Sequence, residues 1–155
     1  MIEIERKFLV KSSDYKKLAF KVEVFTQAYI SKNPARSVRI RIVKNEGFLT
    51  IKGISKNKGT TRFEWEKKLP IEEALELMKL CEDEVILKNR YFIKYNKVVI
   101  EVDEFLKKNQ GLVIAEIELK SIDQKLRLPI WIGKEITGDN KYYNLSLIDN
   151  PFINW

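Results

Sequence analysis

Residues 2–8 read IEIERKF, a stretch in which apolar and charged side chains alternate. Because successive side chains of a β-strand point to opposite faces, Glu3, Glu5 and Lys7 share one face and the apolar residues share the other. The same alternation returns along most of the chain, interrupted by turn-forming Asn, Gly and Pro residues. This pattern predicts an antiparallel sheet and a mainly β fold of the α+β class.

Like charges recur two residues apart on successive predicted strands, with an apolar residue between most of them. Side chains at this spacing share a strand face and lie about 6.5–7 Å apart. The acidic pairs are Glu3 and Glu5, Glu64 and Glu66, Glu101 and Asp103, and Glu116 and Glu118; the basic pairs are Arg39 and Arg41, and Lys88 and Arg90.

Two interpretations are compatible with these pairs. One is an antiparallel sheet with a solvated face, the usual outcome of such alternation. The other is a sheet closed into an eight-stranded barrel, which is just wide enough to hold side chains or one small ligand. Like-charged neighbours repel, which favours the second. Carboxylates converging in such a lumen would suit Mg²⁺ or Mn²⁺, and Arg and Lys would suit phosphate oxygens.

Composition narrows the chemistry further. The 155 residues fit one domain, which we expect to span residues 1–155. The net charge of +7 favours an anionic partner, and the absence of His leaves carboxylates, Lys, Tyr and water for acid–base and metal chemistry. The single Cys81 fits a reducing compartment. With no signal-peptide pattern and no apolar run of about 20 residues, we expect a cytoplasmic protein without a membrane partner.

Helices are expected at four places. Ser12 or Ser13 is a candidate cap for a short helix through about Leu18. Pro70 precedes an apolar stripe that predicts a helix over residues 71–81. The tail predicts a short helix near residues 121–126 and a helix-like stretch over residues 140–148.

The N-terminal stretch 3–7 matches the ExExK signature of the CYTH domain family, also called triphosphate tunnel metalloenzymes. Taken together with the segments that follow it, the chain resembles this family over almost its whole length. The matching segments are Val38-Arg39-Ile40-Arg41, Thr50-Ile51-Lys52-Gly53, Glu64-Trp65-Glu66, Lys88-Asn89-Arg90-Tyr91, Glu101-Val102-Asp103-Glu104-Phe105, Ala115-Glu116-Ile117-Glu118-Leu119 and residues 133–144.

The resemblance implies an eight-stranded antiparallel β-barrel, a tunnel with flanking helices, that cleaves a triphosphate with two Mg²⁺ or Mn²⁺ ions. Glu5, Glu116 and Glu118 are expected as direct metal ligands, and Glu101 either extends the acidic patch or supports it. The full set implied for metal binding is Glu3, Glu5, Glu64, Glu66, Asp103, Glu116 and Glu118, of which Glu3, Glu66 and Asp103 act in part through water. The set implied for phosphate binding is Lys7, Arg39, Arg41, Lys52, Lys88, Arg90 and Lys141.

Tyr29 corresponds to a tyrosine that is assigned in the family as a proton acceptor, and with Lys7 and Lys88 it completes the candidate catalytic set. A hydrogen-bonding role for Tyr29 is an equal alternative, because an ordinary tyrosine pKa of about 10 makes a poor base near neutral pH.

The function implied is hydrolysis of inorganic triphosphate to pyrophosphate and phosphate by a metal-activated water. Alternatives within the family are a class IV-type adenylate cyclase and a nucleoside or thiamine triphosphatase. A non-enzymatic alternative is a module that binds polyphosphate or nucleic acid, although four acidic pairs would repel a nucleic-acid backbone. Both a monomer and a homodimer are compatible with the sequence.

Overall fold

A computed structural model describes residues 2–81 and 84–155, which contain nine β-strands and three short α-helices. The strands are β1 (Ile2–Val10), β2 (Lys21–Ser31), β3 (Arg36–Val43), β4 (Glu46–Gly53), β5 (Thr61–Leu69), β6 (Ile86–Tyr95), β7 (Val98–Phe105), β8 (Val113–Glu118) and β9 (Ile132–Glu135). The helices are α1 (Tyr15–Leu18), α2 (Ile71–Met78) and α3 (Ser146–Asp149).

The first eight strands form a closed antiparallel barrel, which confirms the predicted fold. Neighbouring strands follow the order β5-β4-β3-β2-β6-β7-β8-β1, and pairing of β5 with β1 closes the sheet. That junction consists of three residue pairs, Ile2 with Phe63, Glu3 with Arg62 and Ile4 with Thr61. The short strand β9, which the sequence did not predict, pairs with the C-terminal half of β1.

Side chains on most barrel strands alternate between an apolar outer face and a charged lumen, whereas β2 contributes the uncharged Gln27 and Tyr29 to the inside. On the outer face, Ile100, Val102 and Ile117 are buried in a cluster with Tyr15 and Trp131. Alternate positions of the same strands carry the charges. The predicted inward orientation of these charges is confirmed because the buried polar residues include Lys7, Arg39, Lys52, Lys88, Arg90 and Asp103.

A second apolar cluster ties the C-terminal segment to the barrel. Phe105 and Ile114 pack with Leu147 of α3. Asn109 strengthens the attachment, because its side-chain nitrogen donates to the carbonyl of Leu147 and its side-chain oxygen accepts from the backbone N–H of Phe152 at 2.8 Å. The segment that carries α3 is therefore held in a defined place beside the lumen.

Helix α2 begins after Pro70, as predicted, but ends three residues earlier than predicted. After Met78 the backbone changes to i→i+3 hydrogen bonds, such as Leu80 N–H to Leu77 O at 3.1 Å, which tighten the last turn. No helix of the described residues is long and apolar enough to cross a membrane.

The short helix predicted through about Leu18 is confirmed by α1, although its N-cap position is Asp14 and neither Ser12 nor Ser13.

The two helix predictions for the tail are partly wrong. Residues 121–126 form turns and no helix, although the backbone N–H of Gln124 bonds to the carbonyl of Ser121. The stretch 140–148 contains a 3₁₀ turn over Asn140–Tyr142 and then the single turn of α3. In both places the chain is fixed by contacts with the barrel, which local periodicity does not reveal.

We expect Gly138→Ala to destabilise the protein. Gly138 has φ of 78°, and an added Cβ would overlap the carbonyl oxygen of Lys58. Left-handed backbone alone costs about 1–2 kcal/mol for a residue with a Cβ, and the overlap adds to this. Urea unfolding should show the loss. In the control Gly53→Ala, the new Cβ lies 3.3 Å from the Cβ of Phe63, and its φ is not left-handed. An equal loss in both variants would contradict this explanation.

Candidate active site

The lumen encloses a cavity of about 950 Å³ that opens to solvent. Most of the predicted site residues line it, together with residues 140 and 143–146 of the C-terminal segment. The predicted residues on its wall are Glu3, Glu5, Lys7, Tyr29, Arg39, Arg41, Lys52, Glu64, Arg90, Glu101, Glu116 and Glu118. Glu66, Lys88, Asp103 and Lys141 are predicted site residues that the structure places outside this wall.

Four carboxylates from β1, β5 and β8 form an acidic cluster, defined as Glu3, Glu5, Glu64 and Glu118. The strand register places Glu5 directly opposite Glu118. Burial raises the pKa of Glu118 above its ordinary value, and the charges of Glu3, Glu64 and Glu5 raise it further. Glu118 is therefore within electrostatic range of the other three carboxylates.

The oxygen atoms of this cluster fit a hard divalent cation such as Mg²⁺ or Mn²⁺. Within residues 2–81 and 84–155, no three carboxylates are already arranged as ligands of one ion. The reason is that side-chain cations contact them. Lys52 Nζ lies 3.1 Å from Glu3 Oε2 and also contacts Glu64, and Arg62 Nε donates to Glu3 Oε2 at 2.8 Å. A metal ion would have to displace these cations.

Arg62 is a cavity residue that the sequence did not predict. It lies on β5, opposite Glu3, and lines the cavity. A signal was present, because Arg62 shares a strand face with Glu64 and Glu66. Arg62 belongs to no like-charged pair, however, and the segment of β5 that matches the family begins at Glu64.

Lys7, Arg90 and Glu116 form the central ion-pair group of the lumen. Lys7 Nζ contacts Glu116 and lies 3.2 Å from Glu5 Oε1, while Arg90 Nη2 donates to Glu116 Oε2 at 2.7 Å. Although burial opposes its charge, Lys7 and Arg90 hold the pKa of Glu116 well below its ordinary value. Arg90 also contacts Glu101. Glu116 is thus ionised and is shared between two predicted phosphate-binding cations.

Asp103 and Lys88 form a pair beneath the cavity wall. Each side chain is 1% exposed, and Asp103 also accepts from Arg90 Nε at 2.6 Å. Burial and the neighbouring Arg90 together lower the pKa of Lys88 to about 8, although Asp103 opposes both effects. In this geometry Asp103 orients two cations. Its predicted role in metal binding and the predicted contact of Lys88 with phosphate both require rearrangement.

Arg39, Arg41 and Glu66 form another lumen group with Thr50. Arg41 Nη2 lies 3.0 Å from both Glu66 oxygens, and Arg39 Nη2 donates to Thr50 Oγ1 at 3.2 Å. Thr50 in turn donates to Glu66 Oε2 at 2.7 Å. The guanidinium groups of Arg39 and Arg41 line the cavity. Glu66, which is not part of the cavity wall, orients the arginines in this arrangement.

Tyr29 lines the cavity and is buried. Burial raises its pKa above the ordinary value, although the charges of Arg39, Arg62 and Lys7 oppose this. The phenol is therefore protonated near neutral pH, which suits a hydrogen-bond donor better than a proton acceptor. The structure favours the hydrogen-bonding alternative for Tyr29.

Lys141, predicted to join the phosphate-binding residues, packs on the C-terminal residue instead. Its Nζ lies 3.8 Å from the ring centroid of Trp155, a cation–π contact. The Trp155 ring is itself held edge-on by Tyr142 and Phe152. The neighbouring Asn140 and Tyr143 do line the cavity. Lys141 would have to leave Trp155 to reach a ligand there.

The lumen of this closed β-tunnel holds a carboxylate cluster beside several Lys and Arg residues. Carboxylates suit divalent cations, and Lys and Arg suit anionic oxygens, so the site has the chemistry of proteins that bind polyanions together with divalent cations. Residues 1–149 match the CYTH domain, and the chain belongs to the CYTH domain family.

Comparison with known proteins gives close relatives within that class. The chain is 46% identical over 154 residues to an inorganic triphosphatase of Acetivibrio thermocellus, covering 99% of this chain and 97% of that protein. The crystal structure of the inorganic triphosphatase NE1496 superposes with a TM-score of 0.64 at 29% identity, covering 94% of this chain and 97% of that one. The PH1012 protein of Pyrococcus horikoshii gives a TM-score of 0.62 at 25% identity, covering 78% and 80% of the respective chains.

We expect Asp103→Asn to lower the free energy of unfolding by about 3–5 kcal/mol, because it removes the buried counter-charge of Lys88 and Arg90. Urea unfolding should show this loss equally in chelator and in Mg²⁺. The control Glu46→Gln breaks an exposed pair with Lys68 and should cost no more than about 1 kcal/mol. A loss confined to the Mg²⁺ condition would contradict the ion-pair role and support metal binding by Asp103.

Proposed function

We propose that this protein hydrolyses inorganic triphosphate to pyrophosphate and phosphate inside the tunnel, with the help of divalent metal ions. The observation that carries the proposal is the division of the lumen into the acidic cluster and a set of buried Lys and Arg residues around one cavity. The 46% identity to a protein named as an inorganic triphosphatase, over nearly the full length of both, supports the choice of substrate.

The acidic cluster, together with Glu116, would hold the metal. Mg²⁺ or Mn²⁺ fits because every donor is a carboxylate oxygen, and we propose two ions as the resemblance implies. When bound, such ions polarise phosphoryl oxygens and lower the pKa of bound water. The proposed direct ligands are Glu5, Glu116 and Glu118, with Glu3, Glu64, Glu66 and Asp103 as further candidates.

The chain's own cations bind and orient the substrate. Lys7, Arg39, Arg41, Lys52 and Arg90 carry donors into the cavity, and phosphate oxygens are their preferred partners. In the reaction, a water oxygen bonds to a terminal phosphorus while the bond to the bridging oxygen breaks, and pyrophosphate leaves with that oxygen. Negative charge grows on the leaving oxygen, and fixed cations stabilise it without reorganisation.

The lining also bears on the choice among triphosphates. The aromatic side chains on the cavity wall are Tyr29 and Tyr143, on separate elements. The wall shows no pair of stacked rings among the described residues that would enclose a nucleobase. The charged groups of inorganic triphosphate can all contact the charged side chains of the wall. A nucleoside would place an apolar base among these charged side chains without a ring to stack on.

A panel of phosphate-release assays tests the function. Triphosphate, longer polyphosphate, ATP and thiamine triphosphate are each supplied with Mg²⁺, Mn²⁺ or chelator. We expect release from triphosphate with the highest kcat/KM and no release in chelator. Formation of cyclic AMP from ATP would establish the cyclase alternative instead. Metal-independent binding of oligonucleotides without phosphate release would establish the binding-module alternative.

We expect Glu5→Ala and Lys7→Ala each to lower kcat/KM for triphosphate by at least about 100-fold, because each removes a charge that faces the reacting groups. Circular dichroism should show that both variants are folded. The control Glu46→Ala changes an exposed side chain outside the cavity and should keep wild-type turnover. Wild-type rates in either lumen variant would contradict the site assignment.

We expect Tyr29→Phe to reduce kcat by about tenfold or less, since a protonated phenol supplies one hydrogen bond. Loss of a general base would reduce it by about 10²–10⁴-fold. The pH profile of kcat separates the two roles. If Tyr29 is the base, kcat of the wild type rises with pH as the phenol loses its proton, and this rise disappears in the variant. If Tyr29 is a hydrogen-bond donor, the pH profile keeps its shape.

A further inference from the structure

Arg62 faces the cavity, yet the family motifs gave it no role. Its Nε donates to Glu3 Oε2 at 2.8 Å, and its Nη2 donates to Glu5 Oε1 at 3.2 Å. Burial opposes its charge, but the carboxylates of Glu3 and Glu5 outweigh this and raise the pKa of Arg62 above its ordinary value. A guanidinium that stays charged thus lies between two carboxylates that are proposed to hold the metal.

Arg62 and a divalent ion would compete for the same oxygen atoms. Together with Lys52, which contacts Glu3 and Glu64, Arg62 brings two positive charges to the acidic cluster. One divalent ion carries the same charge in a single centre. An ion on these oxygens would also stand within a few ångströms of the guanidinium, where like charges repel strongly. At Glu3 and Glu5, the arginine contacts seen here and a bound metal ion therefore oppose each other.

Arg62 lines the same cavity as Lys52 and Tyr29, two residues that face the proposed substrate. Its Nη2 lies 3.2 Å from Glu5 Oε1, and the same oxygen lies 3.2 Å from Nζ of Lys7, a predicted phosphate-binding residue. The planar fork of a guanidinium matches two phosphate oxygens, and a bound triphosphate supplies them in this volume.

We propose that Arg62 is an exchangeable counter-ion, which holds Glu3 and Glu5 while no metal is bound and moves to phosphate oxygens of the substrate once metal occupies those carboxylates. This inference rests on the proposed function and deepens it. It makes metal binding precede tight substrate binding, because the guanidinium becomes available to phosphate after the metal has displaced it.

The test uses Arg62→Gln and measures metal and substrate separately. Without substrate, Mn²⁺ binding to the purified protein is followed by electron paramagnetic resonance of the free ion. The variant should bind Mn²⁺ about tenfold more tightly than the wild type, because a competing charge is gone. At saturating metal, its KM for triphosphate should rise about tenfold. Metal and substrate affinity therefore move in opposite directions, which a purely structural role would not produce.

Two further variants act as controls. Arg6→Gln removes a guanidinium that also binds a carboxylate across strands, with Arg6 Nε donating to Glu135 Oε1 at 2.8 Å on the outside of the barrel. It should leave Mn²⁺ affinity and KM unchanged. Arg62→Lys keeps the positive charge at the β1–β5 junction, so its Mn²⁺ affinity should stay within about threefold of the wild type while KM still rises with the loss of the fork.

Several results would overturn the inference. One is unchanged or weaker Mn²⁺ binding by Arg62→Gln, and another is tighter Mn²⁺ binding with an unchanged KM. If Arg62→Gln does not fold in chelator, Arg62→Lys decides the question, since an unchanged KM in that variant excludes the phosphate contact. Failure of the proposed function itself is distinguishable, because the wild type would then release no phosphate in the substrate panel whatever its affinity for Mn²⁺.

Discussion

The structure depends on mutual neutralisation of charges inside a closed barrel. An isolated ion taken out of water costs several kcal/mol, and this lumen contains many carboxylates and cations that are largely removed from solvent. The barrel is sustainable because the two signs are interleaved at contact distance, as in the group formed by Lys7, Arg90 and Glu116. The same interleaving fixes where the side chains point, so the compensation of buried charge also builds the proposed site.

Closure of the sheet and assembly of the site are linked at one place. Strands β1 and β5 join through three residue pairs, and the central pair is Glu3 with Arg62. The backbone contact that closes the barrel therefore also brings a guanidinium to the acidic cluster. This junction has the fewest residue pairs of the barrel, so it has the fewest backbone hydrogen bonds. The ion pair between Glu3 and Arg62 adds an interaction across it, and this interaction depends on which ions are bound to the acidic cluster.

Alternation of apolar and charged residues has the period of a strand and recurs on eight segments, so the strands could be predicted from the sequence. The choice of a closed barrel over a sheet with a solvated face came from the resemblance to the CYTH domain family. The sequence was also sufficient for most of the lumen, since residues two apart share a face and barrel closure brings such faces together. It was insufficient where partners come from distant segments. In the sequence, Asp103 and Lys88 cannot be distinguished from the other members of the like-charged pairs. In the structure both are almost completely buried beneath the wall, where Lys88 Nζ contacts the ring of Phe105. The position of Lys141 on Trp155 depends on how the C-terminal turns fold back, which no local pattern encodes.

The ion pairs of the lumen fall into two kinds, and the difference has a physical consequence. Asp103 and Lys88 are 1% exposed, so a ligand can reach either partner only if the wall rearranges. Glu3, Glu5 and Arg62 retain 12–20% exposure and border the cavity, so an incoming ion can reach them. A lumen built entirely from the first kind would be rigid and inert, because every charge would already be satisfied. A lumen built entirely from the second kind would lack fixed cations for orienting a substrate. The combination gives a frame of fully buried pairs around a smaller set that borders the cavity, and this smaller set lies where the barrel is closed by its shortest junction.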